Sequence, residues 1–169
     1  MAISAPTKSA QYTNRTATPP VLNDGRDSGP LHVKLAKLTF TAAGFTSAAA
    51  GDLKLERMPA GKVRVYRGLS WVVCPVGTGT SDFDLGIGAY TKADGTTQAL
   101  AGAALAGSLD VGGAALNQNL ITGSDALASM IEVESKSGWD LVCSFDTANS
   151  PAAGDLILIL VYTHAGLGA

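Results

Sequence analysis

Hydrophobic and polar residues alternate in several short segments after Pro30, which is the pattern of β-strands with one buried face. The longest such segment covers residues 62–74. One set of alternate positions is apolar and is predicted to face the core: Val63, Val65, Leu69, Trp71 and Val73. The other set is mainly polar and is predicted to face water: Lys62, Arg64, Tyr66 and Ser70. Arg67 interrupts the apolar row beside Gly68, which predicts a bulge or bend there and allows the segment to form two strands.

Further strands follow from the same period of two. Inward positions are predicted at Leu53, Leu55, Phe83, Leu85, Ile87, Ala89, Ile131, Val133, Trp139, Leu141, Cys143 and Phe145. The segment VKLAKLTF is predicted to be a strand with a phase slip near Lys37. The last segment, DLILILVYT, hardly alternates, so both of its sides are expected to be covered. Seven strands are visible in all.

The segment between Asp94 and Ala128 is rich in Ala and Gly and breaks this pattern. We interpret it as a long excursion with short helical turns near 97–106 and 124–128, although Gly102 and Gly107 weaken a helix. Short strands punctuated by Gly and Pro, without long helices between them, favour an all-β fold. The prediction is a single β-sandwich of jelly-roll type.

Residues 1–30 have a different composition, with Ser, Thr, Pro, Asn and Gly and no periodicity. Such a segment buries too little apolar surface to offset its ordering entropy, which predicts a flexible, extended N-terminal arm before a β-sandwich domain at 31–169. The chain shows neither a classical secretion signal nor an apolar run of transmembrane length, so no membrane partner is expected.

Charge is distributed unevenly along the 169 residues, although the net charge is only -2. Up to Arg67 there are ten basic and four acidic residues, and from Gly68 onward there are two basic and ten acidic residues. Either the fold keeps the two halves on separate faces, giving a basic and an acidic side, or a sheet interleaves them and averages the charge. The small net charge argues against nucleic acid as a partner.

Candidate chemistry is sparse. The only histidines are His32 and His164, GxSxG is missing, and VGTGTSD lacks the ending of a phosphate loop. Asp82, Asp84 and Asp94 could offer oxygen ligands to Ca²⁺, and Glu132 with Glu134 a glycosidase pair, but alternating acids on a wet strand face explain them more simply. Cys74 and Cys143 fit small apolar residues, with a bridge between them left open. We expect no enzyme activity, no cofactor and no metal.

Two stretches resemble virion structural proteins of tailed bacteriophages. GDLKLERMPAGKVRV has an apolar strand, a Pro-Ala-Gly corner and a Val-rich strand, and FDLGIGAYTKADGTTQALAGA has a Gly-rich strand end, an Asp-Gly turn and a small-residue segment. Size, a single β domain and a polar arm are most similar to a capsid decoration, or cement, protein. That resemblance implies a trimer on the outer capsid surface of the virion that bridges neighbouring capsomers, with the major capsid protein as partner, after synthesis in the bacterial host cytoplasm.

No contact residue matches a family motif, so the contact sites are physical hypotheses. They are the arm residues Arg15, Pro19, Pro20 and Arg26 and the basic residues Lys54, Arg57, Lys62, Arg64 and Arg67, which would face acidic capsid groups. Another virion part (tail tube, head completion or fibre-base protein) is the main alternative. A carbohydrate-binding β-sandwich is a second, which the inward parity of Trp71 and Trp139 disfavours.

Overall fold

The structure is a computed structural model that describes residues 30–40, 53–77, 81–121, 130–145 and 151–165. These residues form twelve strands and one 3-10 helix, which confirms the all-β prediction. The strands are β1 (Leu31–Phe40), β2 (Leu53–Met58), β3 (Gly61–Tyr66), β4 (Trp71–Cys74), β5 (Asp82–Ile87), β6 (Tyr90–Thr91), β7 (Thr97–Gln98), β8 (Ala101–Asp110), β9 (Leu116–Asn119), β10 (Met130–Ser135), β11 (Trp139–Phe145) and β12 (Gly154–Ala165). Within the described part of the chain, no helix has the length and apolar character needed to cross a membrane.

The long strand β12 organises a six-stranded antiparallel sheet. Strand β1 pairs with it in an unbroken register from Leu31 opposite Thr163 to Phe40 opposite Gly154. On its other side β12 pairs with β3 and then with β4, so these two short strands lie end to end. Strand β10 extends the sheet beside β3, and β9 extends it beside β4.

A second antiparallel sheet has the order β2-β11-β5-β8, and β6 pairs with β7 in a small hairpin. The corner Pro59-Ala60-Gly61 carries the chain from β2 in this sheet to β3 in the six-stranded sheet. Gly61 has φ 109°, a left-handed conformation that favours glycine. The turn predicted from the sequence at this corner is therefore confirmed.

Buried side chains from both sheets form one hydrophobic core. Phe40 of β1 meets Phe145 of β11 edge to face, with ring centroids 5.6 Å apart, and Phe145 also contacts Phe83 of β5. Each predicted inward residue on β11 is buried: Trp139, Leu141, Cys143 and Phe145. Ala89, predicted to face inward, is exposed because β5 ends at Ile87.

The predicted break at Arg67 is a 3-10 helix over Arg67–Leu69 that separates β3 from β4. The single turn shifts the alternation by one residue, so Val72 and Cys74 enter the core instead of Trp71 and Val73. Ser70 fixes the shift: its hydroxyl donates to the Tyr66 carbonyl at 2.8 Å and accepts the Val161 amide at 2.9 Å. The prediction that Leu69, Trp71 and Val73 face inward is wrong.

The predicted helical turn at 97–106 is also wrong, because this segment contains β7 and most of β8. Strand β8 holds three more residues than β5 between the pairs Leu85 to Ala106 and Ile87 to Ala101. Gly86 accommodates that bulge, since a Cβ there would lie 2.0 Å from the Gly102 carbonyl oxygen. Close pairing with β5 thus outweighs the helix propensity of the alanines. The turn predicted at 124–128 lies outside the described residues.

The two long strands of the six-stranded sheet also differ from prediction. Strand β1 pairs with β12 without the predicted slip. Instead, its apolar side chains lie on both faces of the sheet: Val33 and Leu35 point outward, and Ala36, Leu38 and Phe40 point inward. Strand β12 buries Leu156, Leu158 and Leu160, but Ile159 on its other side is exposed. The expectation that both faces of β12 are covered is not met within the described residues.

Candidate functional site

The side of the six-stranded sheet that points away from the core is rich in large apolar side chains. Pairing places Leu35 opposite Ile159, and Ile159 opposite Trp71, in one row across three strands. Neighbouring rows complete a set that we call the outer apolar face: Leu31, Val33 and Leu35 of β1, Trp71 and Val73 of β4, and Ile157, Ile159 and Val161 of β12.

Much of this surface is accessible. The exposed fraction is 68% for Val33, 62% for Leu35, 60% for Leu31 and 41% for Trp71. Apolar residues scattered singly over a surface are ordinary, but a contiguous row of them marks an interaction site. The outer apolar face is therefore the candidate functional site.

Trp71 is held in a defined orientation at the β4 end of this face. Its indole Nε1 donates to Oδ1 of Asn117 on β9 at 2.5 Å. Asn119, directly opposite Trp71 in the β4–β9 pair, accepts the Ile121 amide through its own Oδ1 at 3.1 Å. The ring is thus flanked by side-chain amides, which combine an apolar surface with hydrogen-bonding groups.

Charged residues on the same side of the sheet lie around the apolar rows and balance one another. Lys37 pairs with Asp155 at 2.8 Å at one end, and Glu132 pairs with Lys62 and Arg64 at the other. Neighbouring cations hold the pKa of the Asp155 and Glu132 carboxyls below their usual values, chiefly through hydrogen bonds from Lys37 and Arg64. Glu134, opposite Lys62, lies on the same side and brings the count to three cationic and three anionic residues, so the face offers a partner little net charge.

The five basic residues predicted as contacts do not form one surface. Lys54 and Arg57 lie on β2 and share Asp140, at 2.8 Å and 2.7 Å. Lys62 and Arg64 lie on β3 in the other sheet and share Glu132. Arg67 is 5% exposed and donates from Nε and Nη2 to the Leu120 carbonyl, at 3.3 Å and 3.1 Å. Arg64, at 2% exposed, and Arg67 therefore have little surface to offer a partner.

Most of the ion pairs among the described residues join the two halves of the chain, whereas Lys34 and Glu56 pair within the basic half. Lys37, Lys54, Arg57, Lys62 and Arg64 come from the basic half, and their partners Asp155, Asp140 and Glu132 come from the acidic half. The sequence left open whether the fold keeps the basic and acidic halves on separate faces or interleaves them. The sheets interleave them, which averages the charge. The predicted arm contacts Arg15, Pro19, Pro20 and Arg26 lie outside the described residues.

The acidic residues considered for chemistry have structural partners. Asp84 Oδ1 accepts the Ser108 amide where the pairing of β5 with β8 shifts a second time, between Ala106 and Leu109. Asp94 Oδ1 accepts both the amide and the hydroxyl of Thr96 in the β6–β7 turn. Among the residues that the structure describes, no group of three or more His, Cys, Asp or Glu side chains is placed to hold a metal ion. A shallow depression of about 250 Å³ beside this turn is lined by Tyr90, Lys92, Ala93, Asp94 and Glu134.

Both histidines have contacts of their own. His32 stacks on Tyr162 with ring centroids 5.3 Å apart, and a ring nitrogen of His164 lies 2.7 Å from the Ala60 carbonyl oxygen. Cys74 and Cys143 are free, buried thiols, as expected of small apolar residues.

Sequence reasoning missed the outer apolar face, although part of its signal was visible. Val33 and Leu35 have the opposite parity to Leu38 and Phe40, and β12 is apolar in both parities. Each pattern describes a strand with apolar side chains on both faces. Trp71 could not be added to this set from the alternation, because the size of the turn at Arg67 decides its direction.

Comparison of the chain with protein-family models, with curated proteins and with solved structures gives no match.

Proposed function

We propose that this chain is a decoration, or cement, protein of a tailed bacteriophage, which binds the outside of the assembled capsid and bridges neighbouring capsomers. The observation that carries the proposal is the outer apolar face, because such a surface suits a protein that acts by packing against other proteins. The phage assignment itself rests on the resemblance of residues 51–65 and 83–103 to virion structural proteins. A trimer on the shell and the major capsid protein as partner belong to the same proposal.

The proposal also includes the type of all-β fold. We infer a β-sandwich of jelly-roll type, in which the six-stranded and four-stranded sheets face each other. The shared core and the contact between Phe40 and Phe145 support this arrangement. Compact two-sheet domains expose two broad outer faces, which allows one face to bind copies of the chain and the other to bind a shell.

On the four-stranded sheet, the proposed capsid contacts are Lys54 and Arg57. Their side chains are 72% and 53% exposed, whereas Asp140, which they share, is 19% exposed. Two cations on one carboxylate leave a positive excess at this position. It would meet acidic groups on a capsid, with a contribution that weakens as salt is added.

Location on the particle is the first test. Gold-labelled antibody raised against the purified chain is expected to mark phage heads in electron micrographs. Heads that lack the protein should also gain resistance to disruption when it is added back, by an amount that rises with its concentration over its dissociation constant. Label on tails would support the alternative virion parts, and the absence of label on any particle would overturn the proposal.

A charge-reversal series tests the contact residues separately. The Lys54→Glu, Arg57→Glu variant should bind heads at least about tenfold more weakly than the parent at low salt, with a smaller salt dependence. Lys136→Glu is the matched control, since Lys136 is also exposed but lies beyond the end of β10. Equal salt dependence in all three proteins would remove Lys54 and Arg57 from the contact surface.

A carbohydrate-binding module is the second candidate, and the position of Trp71 favours it. The sequence disfavoured this class because Trp71 was expected to face inward; the structure places the ring at the surface beside Asn117. Aromatic rings flanked by amides suit sugar rings, which have apolar faces and hydroxyl edges. Glycan-array binding that is lost in Trp71→Ala and kept in Leu100→Ala would establish it.

A further inference from the structure

We propose that the outer apolar face is buried between copies of this chain, so that the faces of neighbouring copies pack together in solution. The inference rests on the homo-oligomer of the proposed function and specifies the surface through which its copies bind, but this binding requires no capsid. It rests on the composition of strand β12, the exposure of β1, the charge balance around the face and the composition of the chain before Pro30.

Strand β12 has the composition of a strand covered on both sides. From Leu156 to Val161 every residue is a large aliphatic one. The inward leucines are at most 1% exposed, while Ile159 between them is 36% exposed. Continuous aliphatic strands are typical of sheets with both faces buried, whereas a sheet with one wet face alternates. The composition of β12 therefore fits a covered face better than a solvated one.

The two sheets differ in this respect. The outer side of the four-stranded sheet carries the charged residues Lys54, Arg57, Asp140 and Asp84, although Val142 and Ser144 on the same side of β11 are buried. The outer side of the six-stranded sheet instead presents Leu31, Val33 and Leu35 in alternate positions of β1, all at least 60% exposed. An apolar surface of this kind is stabilised by removal from water.

The charges around the outer apolar face favour a partner that is itself neutral. Strand parity places three cationic and three anionic residues on this side of the sheet: Lys37, Lys62, Arg64, Glu132, Glu134 and Asp155. A strongly basic or acidic partner gains nothing from such a balance. A second copy brings the same balance and the same apolar rows, so neither surface buries an unmatched charge.

The chain before Pro30 is a poorer occupant. Its 29 residues contain five large apolar ones, Met1, Ile3, Tyr12, Val21 and Leu22, separated for the most part by polar residues, Ala and Pro. The outer apolar face has eight large apolar side chains on three adjacent strands. Another sheet face of the same composition matches that area, whereas a single segment with scattered apolar residues does not.

Sedimentation equilibrium on the full chain tests the proposal. The parent protein should self-associate, and the Val33→Lys, Leu35→Lys variant should raise the dissociation constant at least about tenfold. Val76→Lys, Leu100→Lys is the matched control, because these residues are also exposed, at 50% and 40%, but lie off the outer apolar face. The control should associate like the parent.

Acrylamide quenching provides a second readout. Trp139 is 0% exposed, so the quenchable emission comes from Trp71. Quenching should decrease with protein concentration in the parent and the control, and should stay high in the Val33→Lys, Leu35→Lys variant. A parent that stays monomeric, or face and control variants with equal association, would overturn the proposal.

A variant lacking residues 2–28 tests whether the N-terminal segment, instead of a second copy of the chain, covers the outer apolar face. If this deletion strengthens association or makes Trp71 more quenchable in the monomer, the N-terminal segment covers the face and the proposal is wrong. All of these measurements omit phage particles. Failure to bind heads therefore leaves this inference standing, and loss of self-association leaves the head-labelling result standing.

Discussion

Arg64 donates a hydrogen bond from its Nε to Oε2 of Glu132 at 2.5 Å, and the Arg64 side chain is only 3% exposed although it points away from the core. Lys62 reaches the other carboxylate oxygen at 3.2 Å. The two cations lie on β3 and the carboxylate lies on β10, directly opposite Arg64. One half-exposed acid therefore neutralises a nearly inaccessible guanidinium and links β10 to the sheet.

Removing that acid should be costly. Glu132→Ala leaves the Arg64 guanidinium without its charged partner, and we expect a loss of about 2–3 kcal/mol in the free energy of unfolding. Asp155→Ala is the matched control, because it removes the carboxylate paired with Lys37, which is 54% exposed; exposed pairs contribute less than about 1 kcal/mol. Urea denaturation gives both values, and equal losses would show that the burial of Arg64 does not matter.

Stability should fall at acid pH. The pKa values of Glu132 and Asp140 are held below their ordinary values, first by hydrogen bonds from Arg64 and Lys54 respectively. Because the folded-state pKa lies below the unfolded one, the contribution is complete above the unfolded values, near 4.5 and 3.8, and is lost as pH falls through the folded values. The urea midpoint should thus decrease below about pH 5. Glu132→Gln should show a shallower decrease, and an identical pH profile would contradict this assignment.

Alternation predicted the inward rows of β5 and β11 correctly. These two strands pair with each other in one unbroken register, and the extra residues of their other pairings lie on the neighbouring strands β8 and β2. Alternation assigned Trp71 to the wrong face of the sheet. The sequence marked a break at Arg67 and Gly68, but only the size of the turn, fixed by Ser70 against Tyr66 and Val161, determines which parity follows.

The candidate site was less accessible to sequence reasoning for a related reason. Charges were counted correctly, yet their pairing depends on which strands become neighbours. Arg57 meets Asp140, 83 positions later, and Arg64 meets Glu132, 68 positions later, only because of the registers of β2 with β11 and of β3 with β10. The sequence therefore left open whether the basic residues form a separate face, and the strand registers place them in ion pairs.

Gly86 is expected to tolerate no side chain. A Cβ at this position would lie 2.0 Å from the Gly102 carbonyl oxygen and 2.3 Å from that of Ala101, and backbone atoms cannot move aside as a flexible side chain can. Gly86→Ala should lower the free energy of unfolding by about 2 kcal/mol or more. Gly113→Ala, where nothing lies within 4 Å, should change it by less than about 0.5 kcal/mol. Similar urea midpoints for the two variants would show that β8 does not approach β5 this closely.

The two cysteines test whether both sheets unfold as one unit. Burial raises the pKa of the Cys74 thiol to about 12 and also raises that of Cys143, so neither should react with a thiol reagent at pH 8 while the chain is folded. Cys74 lies on β4 in the six-stranded sheet and Cys143 on β11 in the other, within the same core.

Single-thiol variants make that comparison direct. Cys74→Ala and Cys143→Ala each retain one thiol, and a shared core predicts that the two label at the same rate once stability differences are corrected, because only global unfolding exposes them. In denaturant the parent should release two reactive thiols. Faster labelling of Cys74 alone would show that the six-stranded sheet opens separately, and the absence of labelling in denaturant would reveal a bridge between the two cysteines.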